Sequence, residues 1–224
     1  MKFYAVESLE FNGLQNHLED ENVIFKKRLT DYKNKRTTYY DILLDDETFA
    51  KLKDKVRKNY KEVEIPSVIE VFCDGGLNKI SNMEVTHTAY SHILLKNGDE
   101  ISRDCVVQEK GTNQTAELKA LLNGLTMAIQ KADRNSVIVI TADSSYAIRG
   151  FYEYYHTWVK NGYKNNKKEI IENYQLWLSI FKKKEIFDKI YCRHVKAHTK
   201  NEGHIWDYNR EVDKMCTESL KEFK

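Results

Sequence analysis

Two aspartates stand at the ends of two short apolar segments of the chain. Asp143 follows the run 137–142, and Asp74 follows the run 68–73 and precedes two glycines. Short runs rich in β-branched residues are typical of strands buried on both faces. Because ligands of open α/β sheets bind beyond the carboxyl ends of the strands, we expect both aspartates at one site. Carboxylates that converge in this way can act as acids or bases, or can bind a cation.

Two further acids stand near the starts of predicted helices. Glu117 lies in the first turn of a helix predicted over 115–131, and Asp213 lies near the start of the last helix. An acid in a first turn also interacts favourably with the helix dipole, so each of these positions alone has an ordinary explanation.

The elements that must position these acids begin at Ser67. Strands are predicted over 68–73, 86–95, 100–107, 137–142 and 188–195, and further helices from Ser144, over 168–181 and from about Tyr208. The turn 96–99 favours a hairpin between the second and third strands. This order predicts an α/β fold with a five-stranded mixed sheet, three antiparallel strands followed by two parallel ones, flanked by helices.

The single proline, Pro66, suggests a boundary between residues 1–65 and residues 66–224. The first part predicts a small α+β module with strands over 2–7, 22–29 and 37–44, an unassigned stretch over 10–21, and a helix over 46–60. Six basic residues cluster near its middle: Lys26, Lys27, Arg28, Lys33, Lys35 and Arg36. They could bind a phosphate backbone or simply form a solvated edge strand.

The composition narrows the class of protein. The 224 residues are 41% hydrophobic and 31% charged with a net charge of +2, so nucleic-acid binding would need a local basic surface. Cys73, Cys105, Cys192 and Cys216 lack the paired spacing of zinc or redox motifs. The sequence contains no uncharged apolar run long enough to indicate a membrane segment. We expect a monomeric, cytoplasmic protein.

Five sequence motifs, taken together in this order, resemble type 1 ribonuclease H over residues 68–220. They are 72–76 (FCDGG), 112–118 (TNQTAEL), 141–146 (TADSSY), 194–198 (HVKAH) and 209–213 (NREVD). The resemblance implies an endonuclease that hydrolyses the RNA strand of RNA–DNA hybrids. It also implies that Asp74, Glu117, Asp143 and Asp213 bind two divalent cations, and that His198 moves a proton or assists product release.

Elementary chemistry agrees with a cation at such a site. Four ionised carboxylates cannot converge without cations, because mutual repulsion would raise their pKa values. Oxygen ligands favour Mg²⁺, with Mn²⁺ as a substitute. Two ions about 3.5–4 Å apart can activate water and stabilise the leaving 3′ oxygen, which would yield a 5′-phosphate and a 3′-hydroxyl.

The resemblance further implies a set of substrate-binding residues. They are Gly76, Asn78, Thr112, Asn113, Gln114, Tyr154, Trp158 and Asn173. Tyr154 and Trp158 belong to the basic aromatic segment 154–168, which would grip the DNA strand, while Thr112 and Asn173 would hold a DNA phosphate. Helix capping is an alternative role for Thr112, and a core anchor is an alternative role for Trp158.

Several alternatives remain open on the sequence. Asp207 or Glu211 could replace Asp213 as the fourth ligand. Another nuclease or strand-transfer enzyme of the same fold, such as a junction resolvase, and a non-catalytic hybrid-binding protein are the competing functions, because a fold does not fix a function. Residues 1–65 do not match the usual hybrid-binding domain, and could add a second tethered contact.

Overall fold

The computed structural model describes residues 2–8, 23–32, 35–56, 60–79, 85–197 and 199–223. The described strands are β1 (Lys2–Ser8), β2 (Ile24–Tyr32), β3 (Lys35–Leu44), β4 (Tyr60–Glu64), β5 (Ser67–Lys79), β6 (Val85–Lys96), β7 (Asp99–Glu109), β8 (Ser136–Ala142) and β9 (Ile190–His194). The described α-helices are α1 (Asp46–Val56), α2 (Asn113–Lys131), α3 (Ser145–Arg149), α4 (Tyr155–Lys160), α5 (Tyr174–Ile186) and α6 (His204–Leu220). Among the described residues, no helix has the length and apolar character that crossing a membrane requires.

The predicted mixed sheet is confirmed in the order β9-β8-β5-β6-β7. Strands β5, β6 and β7 are antiparallel, whereas β8 and β9 run parallel to β5. Every residue of β8 is buried, as its unbroken apolar sequence predicted. The last pair between β5 and β8 joins Phe72 to Thr141, so Asp74 and Asp143 each follow that pair by two residues. The register therefore brings both aspartates to one edge of the sheet.

The N-terminal strands extend this same sheet. Strand β2 pairs antiparallel with β9 through Phe25 and Cys192, which gives the described residues a nine-stranded sheet in the order β4-β1-β3-β2-β9-β8-β5-β6-β7. The core is also shared, since the Phe25 ring lies 4.9 Å from that of Tyr152 and packs in one cluster with Ile138. The N-terminal strands thus cover an edge of β9 that would otherwise be free.

The helix predicted over 46–60 ends at Val56, and residues 60–64 form strand β4 against β1. Tyr60 fits the apolar spacing of the predicted helix, but in the structure it lies in strand β4 and packs against Phe49 from there. Its ring lies 4.6 Å from Phe49 and 5.9 Å from Tyr4. The unassigned stretch 10–21 lies outside the described residues.

Three helix boundaries after β8 also differ from prediction. Helix α5 begins at Tyr174 rather than 168, because Lys168 and Asn173 adopt positive φ angles of 64° and 55°. Helix α6 begins at His204, four residues earlier than expected. The helix from Ser144 is interrupted by a π-helical turn over Gly150–Tyr154. At Gly150 a Cβ atom would lie 2.1 Å from the Trp177 ring, so glycine permits this close packing.

Candidate active site

Three carboxylates converge at one edge of the sheet. Asp143 directly follows β8, whereas Asp74 lies within β5, because that strand continues past its predicted end at residue 73 to Lys79. One oxygen each from Asp74, Glu117 and Asp143 lies within 4.8 Å of the others. Asp74 and Glu117 are only 7% and 8% exposed, and Asp143 is half-buried. Glu117 arrives from the first turns of α2, so two strands and one helix supply the cluster. The convergence predicted from the sequence is therefore present in the structure.

Gly75 allows helix α2 to approach strand β5 closely. A Cβ atom on Gly75 would lie 2.3 Å from the backbone nitrogen of Glu117 and 2.4 Å from the carbonyl carbon of Ala116. The Gly75 backbone N–H also hydrogen-bonds the carboxylates of Asp74 and Glu117. The glycine thus sets the separation between two of the three acids.

We expect Gly75→Ala to destabilise the protein, because backbone atoms of α2 would have to move. Overpacking of this kind costs about 1–3 kcal/mol of the free energy of unfolding. The control is Gly76→Ala, whose new Cβ would meet side chains rather than backbone, Cys216 at 3.1 Å and Leu220 at 3.5 Å. Urea denaturation of both variants measures the difference, and equal stabilities would contradict the role assigned to Gly75.

Asp213 lines the same cleft as this cluster. The cleft has a volume of about 610 Å³ and is lined by Asp74, Gly75, Gly76, Leu77, Asn78, Asn113, Glu117, Asp143, Ala197, Asp213, Thr217 and Leu220. The competing acids of α6 are paired elsewhere, Asp207 with Arg210 and Glu211 with Arg103. Of the three acids of α6 considered from the sequence, Asp213 is the one that lines the cleft.

Burial and mutual repulsion raise the pKa values of the clustered carboxyl groups, which favours the binding of a cation between them. Burial, with the charges of Asp143 and Asp213, raises the pKa of Asp74 above its ordinary value of 3.8 to about 8. Burial and the charges of Asp74 and Asp143 raise the pKa of Glu117 to about 9. The Gly75 N–H opposes both shifts without cancelling them. A cation would replace the protons, and an all-oxygen donor set suits Mg²⁺ or Mn²⁺.

Two polar residues hold Asp143 in place, and the sequence motifs did not single them out for this role. Asn209 is buried, and its Nδ2 donates to Oδ2 of Asp143 at 3.4 Å. His194 Nε2 lies 3.0 Å from the Asp143 carbonyl oxygen, so the protonated nitrogen donates there. Asn209 precedes Asp213 by one helical turn, and this spacing could have placed both side chains on one face.

Comparison with known proteins identifies the family. The sequence profile described as RNase H matches residues 66–221. The chain belongs to the RNase H family. It is a ribonuclease H enzyme, as the five motifs predicted, and residues 1–65 lie outside the match.

Individual proteins show the extent of the likeness. The ribonuclease H of Acetivibrio thermocellus is 33% identical over 111 residues, which cover 49% of this chain and 69% of that protein. LC9-RNase H1, a type 1 RNase H, superposes with a TM-score of 0.57 at 21% identity, covering 70% of this chain and 74% of that one. A foamy viral protease-reverse transcriptase in complex with RNA/DNA hybrid gives a TM-score of 0.56 at 20% identity, covering 69% and 20%. The two structures show that the fold is shared.

The residues predicted to bind substrate in this RNase H lie in two places. Gly76, Asn78 and Asn113 line the cleft. Asn78 is buried and its Nδ2 donates to the Phe223 carbonyl at 2.9 Å, so its amide already holds the C-terminal turn. Thr112 caps α2 through a reciprocal pair of hydrogen bonds with Thr115, and it is exposed next to the cleft-lining Asn113.

Gln114 and Asn173 form a polar group beside the cleft. Asn173 Nδ2 lies 3.4 Å from Gln114 Oε1 and 3.2 Å from the Tyr146 hydroxyl, which also accepts from Trp177 Nε1 at 3.0 Å. The contacts link the start of α2 to the start of α5. They hold Asn173 beside the first turn of α2, the helix that Thr112 caps.

The basic aromatic segment 154–168 forms α4 and the turns after it. The Trp158 ring lies 5.2 Å from the Trp177 ring, and the residue is half-buried. One part of Trp158 therefore packs against the core, as the alternative interpretation predicted, and the other part is accessible to solvent. The Tyr154 ring lies 5.3 Å from the Trp158 ring, with the two planes tilted by 39°. Four lysines of the segment are exposed: Lys160, Lys164, Lys167 and Lys168.

Two sets of predicted residues cannot be placed fully. His198 lies outside the described residues, although the preceding Ala197 lines the cleft. In the N-terminal basic cluster, Lys26 donates to the Asp188 carbonyl. All of Lys33 and the side chains of Lys27, Arg28, Lys35 and Arg36 lie outside the described part of the chain.

Proposed function

We propose that this RNase H hydrolyses the RNA strand of RNA–DNA hybrids and leaves 5′-phosphate and 3′-hydroxyl ends. The observation that carries the proposal is the convergence of Asp74, Glu117 and Asp143 in a cleft that Asp213 also lines. The neighbour of similar fold that is described in complex with RNA/DNA hybrid supports this choice of substrate.

The four carboxylates would hold two divalent cations. When bound, such ions lower the pKa of an attacking water and stabilise the leaving 3′ oxygen. Asp74 and Glu117 are held by the Gly75 N–H, and Asp143 is held by Asn209 and His194. The acids are thus positioned before substrate arrives, which limits reorganisation during the reaction.

Cleavage of three duplexes of matched sequence tests the substrate class. We expect Mg²⁺-dependent cleavage of the RNA–DNA hybrid and no comparable cleavage of RNA–RNA or DNA–DNA duplexes. Cutting of the DNA duplex would favour another nuclease of this fold. A protein that binds the hybrid without cutting it would favour the non-catalytic alternative.

We expect the exposed lysines after α4 to contribute to hybrid binding through phosphate contacts. The double variant Lys164→Gln/Lys167→Gln should weaken binding and reduce the slope of log affinity against log salt by about 2. The charge-matched control is Lys131→Gln/Lys189→Gln, which removes two exposed lysines at the opposite end of the parallel strands. Fluorescence anisotropy over a salt series measures both slopes, and equal slopes would remove the segment from the binding surface.

For His198, we expect a partial loss of rate in His198→Ala, because an imidazole can transfer a proton near neutral pH or help the product leave. Loss of a proton-transferring side chain costs roughly 10²-fold or more when that step limits the rate. The matched variant His87→Ala changes a half-buried histidine of β6. Single- and multiple-turnover rates separate chemistry from product release, and unchanged rates of both kinds would exclude the role.

A further inference from the structure

Two cysteines meet between strand β7 and helix α6. Cys105 packs against the small apolar cluster formed by Cys216, Ala89 and Leu220, and its Sγ donates to the carbonyl of Met215, the residue before Cys216, at 3.6 Å. Cys105 is half-buried, whereas Cys216 is only 1% exposed. An oxidant in solution can therefore reach the first thiol, and the second lies behind it.

Cys216 also touches the carboxylate-bearing strand. Its Sγ donates to the backbone carbonyl of Asp74 at 3.4 Å. A Cβ atom at Gly76 would lie 3.1 Å from the Cys216 Cβ, so the helix and strand are in close contact there. On α6, Cys216 follows Asp213 by three residues, close to one helical turn. A displacement of Cys216 would therefore act on Asp74 and Asp213 together.

We propose that Cys105 and Cys216 form a reversible disulfide that lowers the activity of the adjacent carboxylate site. The oxidant is a peroxide, whose O–O bond breaks as one oxygen bonds to Cys105 Sγ and the other leaves as water or alcohol. Cys216 Sγ then attacks Cys105 Sγ, the S–O bond breaks, and water leaves with the Cys216 proton. The two thiols together lose two electrons and two protons, which reduce the peroxide.

The surroundings of Cys105 favour the first step. The adjacent Cys216 thiol and the hydrogen bond from the Ser219 hydroxyl lower the pKa of Cys105 to about 7, against the opposing effect of burial. Ser219 Oγ lies 3.4 Å from the Cys105 sulfur. The thiolate is the form that reacts with peroxides, and a neighbouring second cysteine converts the resulting sulfenic acid to a disulfide.

The disulfide would change the site because it draws the two elements together. Sulfurs in a disulfide are about 2.05 Å apart, closer than any hydrogen-bonded thiol pair. Cys216 would also lose the S–H that contacts the Asp74 carbonyl. A shift of 1 Å in a catalytic group can cost about 10²-fold in rate, so we expect at least a roughly tenfold fall in hybrid cleavage.

The test treats the full-length protein with hydrogen peroxide and then maps its peptides without reduction. We expect a cross-link between the Cys105 and Cys216 peptides, a loss of cleavage, and recovery of both after dithiothreitol. Cys105→Ser should keep its basal activity and lose the peroxide response, and Cys216→Ser should form no cross-link. The control variant Cys192→Ala, which replaces a buried cysteine of β9, should still lose activity after peroxide treatment.

Two results would overturn the proposal. One is the absence of the Cys105–Cys216 cross-link after peroxide treatment, and the other is a quantitative cross-link that leaves activity unchanged. The activity measurement rests on the proposed function, but the peptide map does not. The Mg²⁺-induced rise in melting temperature gives a second readout of the site without substrate, and we expect the disulfide to reduce it.

Discussion

Replacing Asp143 by asparagine should reduce Mg²⁺-dependent cleavage of the hybrid by about 10³-fold or more. The substitution keeps the shape of the side chain but removes its negative charge. The lost charge is the one that faces Asp74 and Glu117 across less than 4.8 Å. Single-turnover cleavage of a hybrid with labelled RNA measures the effect.

Binding of the hybrid should change little in the same variant. Asp143 contributes no positive charge, and the exposed lysines of the segment 154–168 are untouched. The matched control, Asp99→Asn, alters an exposed aspartate at the far end of the β6–β7 hairpin and should retain full activity. Full activity of Asp143→Asn would refute the assignment of this residue.

The second large effect concerns stability in the absence of metal. The pKa of Asp74 rises to about 8 and that of Glu117 to about 9 on folding, so the folded protein holds these protons more tightly than the unfolded chain. That stabilisation is complete below the ordinary pKa values and is lost as the pH rises through about 8 to 9. We therefore expect the metal-free protein to lose stability between about pH 4 and about pH 9.

Asp74→Asn should remove much of this loss. At about pH 8 in EDTA we expect the variant to exceed the wild type by about 1–3 kcal/mol in free energy of unfolding, although its cleavage is abolished. Mg²⁺ should raise the melting temperature of the wild type much more than that of the variant. Chemical denaturation across the pH range, with Asp99→Asn as control, measures both effects. A wild type whose stability does not fall with pH would contradict the raised pKa values.

The sequence predicted the central sheet well because its signals are local. Strand β8 is apolar at nearly every position and buried throughout, and Asp143 follows it directly. The apolar spacing of α2 likewise predicted a helix whose Leu118, Leu121 and Leu125 are buried. The prediction that β5 ends before Asp74 was wrong, because the strand continues to Lys79 in its pairing with β6. Tyr60 misled the prediction of helix α1, because its spacing fits a helical period although it lies in strand β4.

The pairing of the N-terminal strands with the central sheet could not be predicted from local sequence patterns. The pairing of Phe25 with Cys192 joins segments far apart in sequence, and strand propensity does not select partners. One physical hint was available, because β9 would otherwise leave an apolar edge strand exposed. Removal of residues 1–65 would uncover that edge and one side of the Tyr152 ring.

At the site, the sequence indicated which acids converge but not what holds them. Gly75 was noted as part of a motif. Its structural role follows from the close approach of helix α2, where a Cβ atom on Gly75 would lie 2.3 Å from the Glu117 nitrogen, and no spacing in the sequence predicts that approach. Asn209 and Cys216 each contact a site aspartate from α6, and these contacts depend on how that helix is rotated on the sheet.

The most direct test of the account is Mg²⁺-dependent cleavage of an RNA–DNA hybrid labelled on both strands. The account predicts RNA fragments with 5′-phosphate and 3′-hydroxyl ends, an intact DNA strand, and no cleavage in EDTA. Cleavage that persists in EDTA, cutting of the DNA strand, or RNA fragments ending in a cyclic phosphate would contradict it.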